Sequence, residues 1–119
     1  MPRTALASVA PKGPYPGTIS SNLLDITFTA MDASNMNTTP FVGNRMLLVW
    51  RNSGAGARTI TITSVADSHG RTGDVTTFSI GAGEYGAFLV ERDGWQQSDG
   101  ALYTAGEHAE VLLAVLQIP

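Results

Sequence analysis

The chain has no cysteine, which excludes disulfides and thiolate metal sites, so its stability must come from packing or assembly. Charge is scarce as well: Asp, Glu, Lys and Arg make up 14% of its 119 residues, against roughly 25% in an average soluble domain. Thr, Ser, Asn and Gly take their place, a mixture that suits β-structure, turns and surfaces that meet another protein. Lys12 is the single lysine, the arginines stand singly, and the net charge is −3. Affinity for nucleic acid rests on clustered Lys and Arg, so this composition argues against DNA or RNA as a partner. No apolar run approaches the roughly 18 residues needed to cross a bilayer, and the first residues lack the apolar stretch of a secretory signal. The expectation is a soluble, unexported chain with no membrane partner.

Proline is missing from positions 41 to 118 and concentrated before them, at Pro2, Pro11, Pro14, Pro16 and Pro40. Proline donates no amide proton and is excluded from central strands, so the later stretch can form a hydrogen-bonded sheet while the first residues cannot easily do so. Residues 1–17 therefore read as an extended arm with a reach on the order of 50 Å, and residues 18–119 as one domain. Leu6, Val9 and Tyr15 place apolar groups in the arm that cannot bury themselves locally. Such a segment calls for a partner surface, and its pre-extended backbone limits the entropy lost on binding.

Along the domain, residues 24–29 alternate apolar with polar, which predicts a strand with Leu24, Ile26 and Phe28 toward the core. Residues 30–44 are rich in turn formers and read as a loop, in which Asp32 could cap one short turn. Residues 46–50 form a continuous apolar run, the pattern of a strand buried on both faces. In residues 58–65 threonine alternates with Ile60 and Ile62, which predicts an inward aliphatic and an outward threonine face. The short connection through Asn52 to Ala57 predicts an antiparallel hairpin between these two strands. A polar loop over 67–74 precedes a strand in which Thr76, Phe78 and Ile80 share a face. Residues 81–84 turn the chain into a strand over 85–90, and turns around Gly94 and Gly100 lead to Leu102, Tyr103 and Thr104. Residues 107–116 tolerate a helix by propensity, but the apolar residues of 111–118 lie on every side, which favours a central strand. Turns recurring every 8 to 12 residues or so predict an all-β chain, a single antiparallel β-sandwich of about eight strands.

Little in the sequence points to catalysis. His69 and His108 stand far apart and in no metal-ligand spacing. Asp67, His69 and Asp74 could in principle surround a cation, yet their loop matches no EF-hand. Nucleophile-elbow, P-loop and dinucleotide fingerprints do not occur, and Glu107 and Glu110, the nearest carboxylate pair, read as solvated. The expectation is a protein with no catalytic residues, no cofactor and no metal. Arg71, close to Asp74, reads mainly as a turn-holding residue, and is also the best charged contact in the body of the protein. Among the aromatic residues Trp50, Tyr85 and Tyr103 fall in strands, whereas Trp95, flanked by Gly94 and Gln96, should be partly exposed and could stack on a sugar. The candidate contact residues are thus Pro11, Tyr15 and Pro16 in the arm, with Arg71 and Trp95 in the domain.

The order Leu47-Leu48-Val49, Asn52-Ser53-Gly54-Ala55, Thr59-Ile60-Thr61-Ile62, Gly81-Ala82-Gly83-Glu84, Trp95 with Asp99-Gly100, and Ala114-Val115-Leu116 resembles the small β-sandwich decoration, or cement, proteins of tailed-phage heads. The resemblance spans most of residues 40–119. It implies a jelly-roll-like sandwich, commonly a homotrimer, on the outer capsid surface of a virion assembled in the host cytoplasm. There it would bridge major capsid protein subunits, its arm gripping the shell. Two other roles remain open at this point: a tail or head-completion component, and a carbohydrate-binding host-attachment module.

Overall fold

The computed structural model describes residues 2–13, 15–21 and 24–118; Met1 and Pro14 of the expected arm, with Asn22, Leu23 and Pro119, lie outside them. Among the described residues the strands are β1 (Thr4–Ala5), β2 (Thr29–Ala30), β3 (Asn37–Pro40), β4 (Arg45–Asn52), β5 (Arg58–Thr63), β6 (Val75–Ile80), β7 (Tyr85–Glu91), β8 (Ala101–Gly106) and β9 (Val111–Gln117). They form a five-stranded sheet, β1-β3-β8-β5-β6, and a four-stranded sheet, β2-β9-β4-β7. From β2 onward the chain changes sheet at every connection except β5 to β6. With β1 set aside, two four-stranded sheets wound in this order are a jelly roll, the expected all-β sandwich.

Alternation builds the core between the layers. Met46, Leu48 and Trp50 of β4, Val111, Leu113 and Val115 of β9 and Val90 of β7 face Ile60, Ile62, Ile80 and Leu102 of the other sheet. The segment over 111–117 is a strand, and it lies between β2 and β4 as a central strand should.

Several expectations are corrected. In place of a strand over 24–29, only Thr29 and Ala30 pair, with Leu113 and Leu112. Leu24 and Ile26 remain 67% and 47% exposed, and the Phe28 ring meets Tyr85 edge-on at 6.2 Å. Tyr85 lies in the outward-facing row of the four-stranded sheet, so this stretch packs on the outside of the sandwich. The expected loop over 30–44 contains β3, with Met31 and Phe41 buried beside it. Polar Asn37 is buried there with both ends of its side chain hydrogen-bonded: Oδ1 accepts the Asp32 amide and Nδ2 donates to the Thr4 carbonyl. Asp32 does cap a turn, accepting the amides of Ser34 and Asn35.

The expected β4–β5 hairpin does not form, because the two strands belong to opposite sheets. Asn52 explains the crossing. Fully buried, it donates from Nδ2 to the Gly56 and Ile80 carbonyls and accepts the Gly54 amide at Oδ1. Its own amide donates to the Glu84 carbonyl and its carbonyl accepts the Gly83 amide. The connection is wound around a satisfied polar side chain and led across the end of the sandwich. In β6 the common face of Thr76, Phe78 and Ile80 is broken. Ile60 pairs with Phe78 but Ile62 pairs with Val75, so β6 carries one extra residue. Thr77 takes it up at φ 48°.

The arm also differs from expectation in where its apolar residues go. Leu6 is 2% exposed and belongs to the chain's own core, so it needs no external partner. Thr4 and Ala5 pair in parallel with β3, and Val9 bridges Leu116, donating to the Val115 carbonyl and accepting from Gln117. The Arg3 guanidinium stacks on Tyr103 at 4.1 Å and donates to the Asn37 and Thr104 carbonyls. Beyond Val9, every described residue up to Thr27 is exposed.

Candidate functional site

Two of the five candidate residues meet in one cleft. The loop between β5 and β6 and a single, irregular helical turn at Arg92–Trp95 enclose about 420 Å³ lined by Ser64, Asp67, Arg71, Glu91, Asp93 and Trp95, among others. The loop organises itself around carboxylates. Asp67 accepts the amides of His69 and Arg71 and pairs with Arg71 Nε at 2.7 Å. The Arg71 amide, then the His69 amide and the Arg71 guanidinium, hold the Asp67 carboxyl below the usual carboxylate range. Asp74 accepts the Ser64 amide and hydroxyl, and Asp93 those of Ser68. The Val65 amide ties the loop to the Gly94 carbonyl, at a glycine held at φ 102° where a Cβ would be strained. Arg71 is thus committed to its turn while its side chain stays 75% exposed. Trp95 is half-buried, edge-on to Phe88 at 5.3 Å, and leaves part of its ring to the cleft.

The chemistry of this cleft is that of a polar recess. Ser68 and His69 stand side by side, with Oγ and Nδ1 3.4 Å apart. A nucleophilic triad requires a carboxylate that orients the histidine, whereas Asp93 binds the serine. Asp67 spends Oδ1 on two amides and Oδ2 on Arg71, Asp74 binds Ser64 through Oδ1, and among the described residues no group of three His, Asp or Glu is gathered as a metal site would need.

Pro11, Tyr15 and Pro16 are all exposed and do not line this cleft. Pro11 instead borders two shallow recesses, one with Val42 and Ile118 and one with Leu24, Ile26 and Leu116.

A larger feature follows from strand register. On the outer side of the five-stranded sheet stand Thr38, Thr59, Thr61, Thr63, Ser79 and Tyr103. On the outer side of the four-stranded sheet stand Leu47 and Val49 of β4, Ala87 and Leu89 of β7, and Leu112, Ala114 and Leu116 of β9. Between Arg45 with Glu91 at one end and Arg51 at the other, this layer is apolar on both sides. Ala114 is covered, Leu47, Val49, Leu112 and Leu116 are half-buried, and Leu89 and Tyr85 are 46% and 61% exposed. These residues were missed as a contact surface, although their signal was present: runs 46–50 and 111–116 carry apolar residues at every position where one buried face would need only alternate ones. No protein family, curated protein or solved structure matches the chain.

Proposed function

We propose that this chain is a non-enzymatic virion structural protein that binds the outside of a phage capsid and bridges major capsid protein subunits. The observation that carries the reading is the aliphatic outer face of the four-stranded sheet, bordered by the exposed segment that holds Pro11, Tyr15 and Pro16. Apolar surface at this density is costly to leave in water. Completing the burial of one half-exposed leucine contributes on the order of 1 kcal/mol, and a shell offers many copies of the same contact. The resemblance in strand and turn order to decoration proteins supplies the kind of partner. The fold alone would not, since jelly rolls serve many functions. On this reading the chain needs no cofactor, works on the outer capsid surface, and associates with itself, as a homotrimer, as well as with the shell.

Binding of the purified chain to undecorated shells, followed by co-sedimentation, tests the proposal. Leu6 belongs to the core, so removing residues 2–17 would confuse unfolding with lost contact. The cleaner variants are Leu89→Asp, and Gly-Ser replacement of residues 11–21. Both should remain folded by circular dichroism and lose most shell binding; unimpaired binding by both would refute the proposal. A carbohydrate-binding role is the second reading, favoured by the meeting of Arg71 and Trp95 in one polar cleft. Saturable glycan-array binding that disappears in Trp95→Ala would support it over the first.

A further inference from the structure

Each sheet has two edges, β1 and β6 in the five-stranded layer and β2 and β7 in the four-stranded one. An open edge presents unpaired amides and carbonyls, and folded proteins blunt it by shortening the strand, breaking it with a bulge, or placing proline or lysine on it. Three of these edges are blunted in that way. β1 and β2 have two residues each, and β6 carries the extra residue at Thr77. β7 has none of these devices. Its seven residues, Tyr85–Glu91, include no proline or lysine and lie opposite β4 in unbroken register from Arg51 to Arg45.

Hydrogen bonds at the two ends of this ladder identify the groups left over. The Asn52 amide donates to the Glu84 carbonyl and the Arg92 amide to the Asn44 carbonyl, so even-numbered residues of this stretch turn toward β4. An antiparallel ladder alternates, and Tyr85, Ala87, Leu89 and Glu91 therefore turn their amides and carbonyls outward. Among the described residues these groups have no partner, and all four side chains are exposed. The cleft of about 420 Å³ opens beside Leu89 and Glu91, so that end of the edge borders space rather than the β5–β6 loop.

We propose that β7 of one copy of the chain pairs antiparallel with β7 of a second copy about a two-fold axis at Phe88, joining the two four-stranded sheets into one. The free groups fix the register. With Phe88 opposite its own counterpart, Ala87 faces Leu89 and Tyr85 faces Glu91 across the axis, and the outward amides and carbonyls of both strands are all met. A shift of two residues in either direction leaves one residue of each copy unpaired. The charges select the same register. Arg51, beside Tyr85 in β4, holds its guanidinium over the Tyr85 ring at 5.7 Å, and Glu91 of the second copy arrives next to that ring. Within the described part of its own chain neither Arg51 nor Glu91 forms an ion pair. The two-fold axis makes this contact twice, as an isologous interface requires. Both aliphatic outer faces lie on one side of the joined sheet, which doubles the surface proposed to meet the shell. The pairing goes beyond that reading, does not depend on it, and leaves other surfaces free for a three-fold contact.

Sedimentation equilibrium of the full-length chain over a range of concentrations tests the pairing. Wild type should reach a dimer, or paired trimers where a three-fold contact also forms. Ala87→Pro removes an amide that β4 does not use, at an edge where proline is tolerated, and should weaken the two-fold step by about tenfold or more with circular dichroism unchanged. Glu91→Arg and Arg51→Glu each bring like charges together at both contacts and should weaken it about tenfold. Mixed in equal amounts, these two variants restore opposite charges at both contacts, so the mixture should recover wild-type association as a one-to-one pair, which misfolded variants could not do. A wild type with no even-numbered species, variants that associate as wild type does, or a mixture no tighter than its components would each overturn the pairing. Shell binding is read separately, so its failure beside a normal dimer would remove the capsid reading alone.

Discussion

The two sheets share one core but were composed for different surroundings. The five-stranded sheet follows the economy of a half-wet layer, with Ile60 and Ile62 inward and Thr59, Thr61 and Thr63 outward. The four-stranded sheet puts leucine, valine and alanine on both sides. The threonine face offers hydroxyls to water, whereas the outer aliphatic face offers it Leu89 and Tyr85 and half-buries Leu47, Val49, Leu112 and Leu116. The lesson is that the search for function should start from the layer that overspends hydrophobic residues rather than from the polar loops that look more like chemistry.

The comparison can be broken or sharpened in order of effect. The largest change should come from the shared core: Leu113→Ala or Leu6→Ala should each cost about 2–5 kcal/mol in urea unfolding. The Leu6 result would show that the docked part of the arm is an integral piece of the sandwich; a loss under about 0.5 kcal/mol there would show it to be a tether. Next, Asn52→Ala should cost about 1–3 kcal/mol, because it strands the Gly56 and Ile80 carbonyls at the crossing between the sheets. Smaller in stability, but decisive for the contrast, are the outer faces. Leu112→Thr and Thr61→Val should both stay within about 0.5 kcal/mol of wild type, yet only the first should reduce co-sedimentation with shells. Equal loss from both would erase the distinction between the layers.

The smallest effect is one of pH. A hydrogen bond from the Tyr103 hydroxyl, then the Ala101 amide, lowers the Asp99 pKa below its ordinary 3.8. The folded state therefore binds that proton less tightly than the unfolded one, and the contribution is present above the unfolded pKa and lost as pH falls through the folded one. The melting temperature should drop on acidification from pH 5 toward 2, slightly less steeply in Asp99→Asn. Identical slopes would show that this pair does not matter.

Strands carried by strict alternation or by turn glycines were legible from sequence: β4, β5, β7, β8 and β9 lie where the pattern puts them. What misled was context. Residues 24–29 alternate as well as any strand, but an edge position lets only Thr29 and Ala30 pair, and the apolar side chains serve the outside of the sandwich. Residues 37–40 look like a turn because Asn37 is polar, and only the buried partners of its amide make it a strand residue. The short Gly-rich connection after β4 looked like a hairpin because nothing local announces that Asn52 will gather carbonyls distant in the chain. Of the candidate residues, Arg71 and Trp95 could be paired only in three dimensions, and the register slip in β6 is one that no single-strand pattern encodes.

The place of β9 sets the timing of folding. It lies between β2 and β4, so a nascent chain that stops short of Val111 has neither neighbour joined and no four-stranded layer at all. Among the described residues β5 and β6 are the only sheet neighbours within the roll that are also successive in the chain, so nearly every contact must wait for a distant partner, and the approach to the native state should be slow. The outer aliphatic face, to which β9 contributes Leu112, Ala114 and Leu116, is therefore among the last surfaces to be completed.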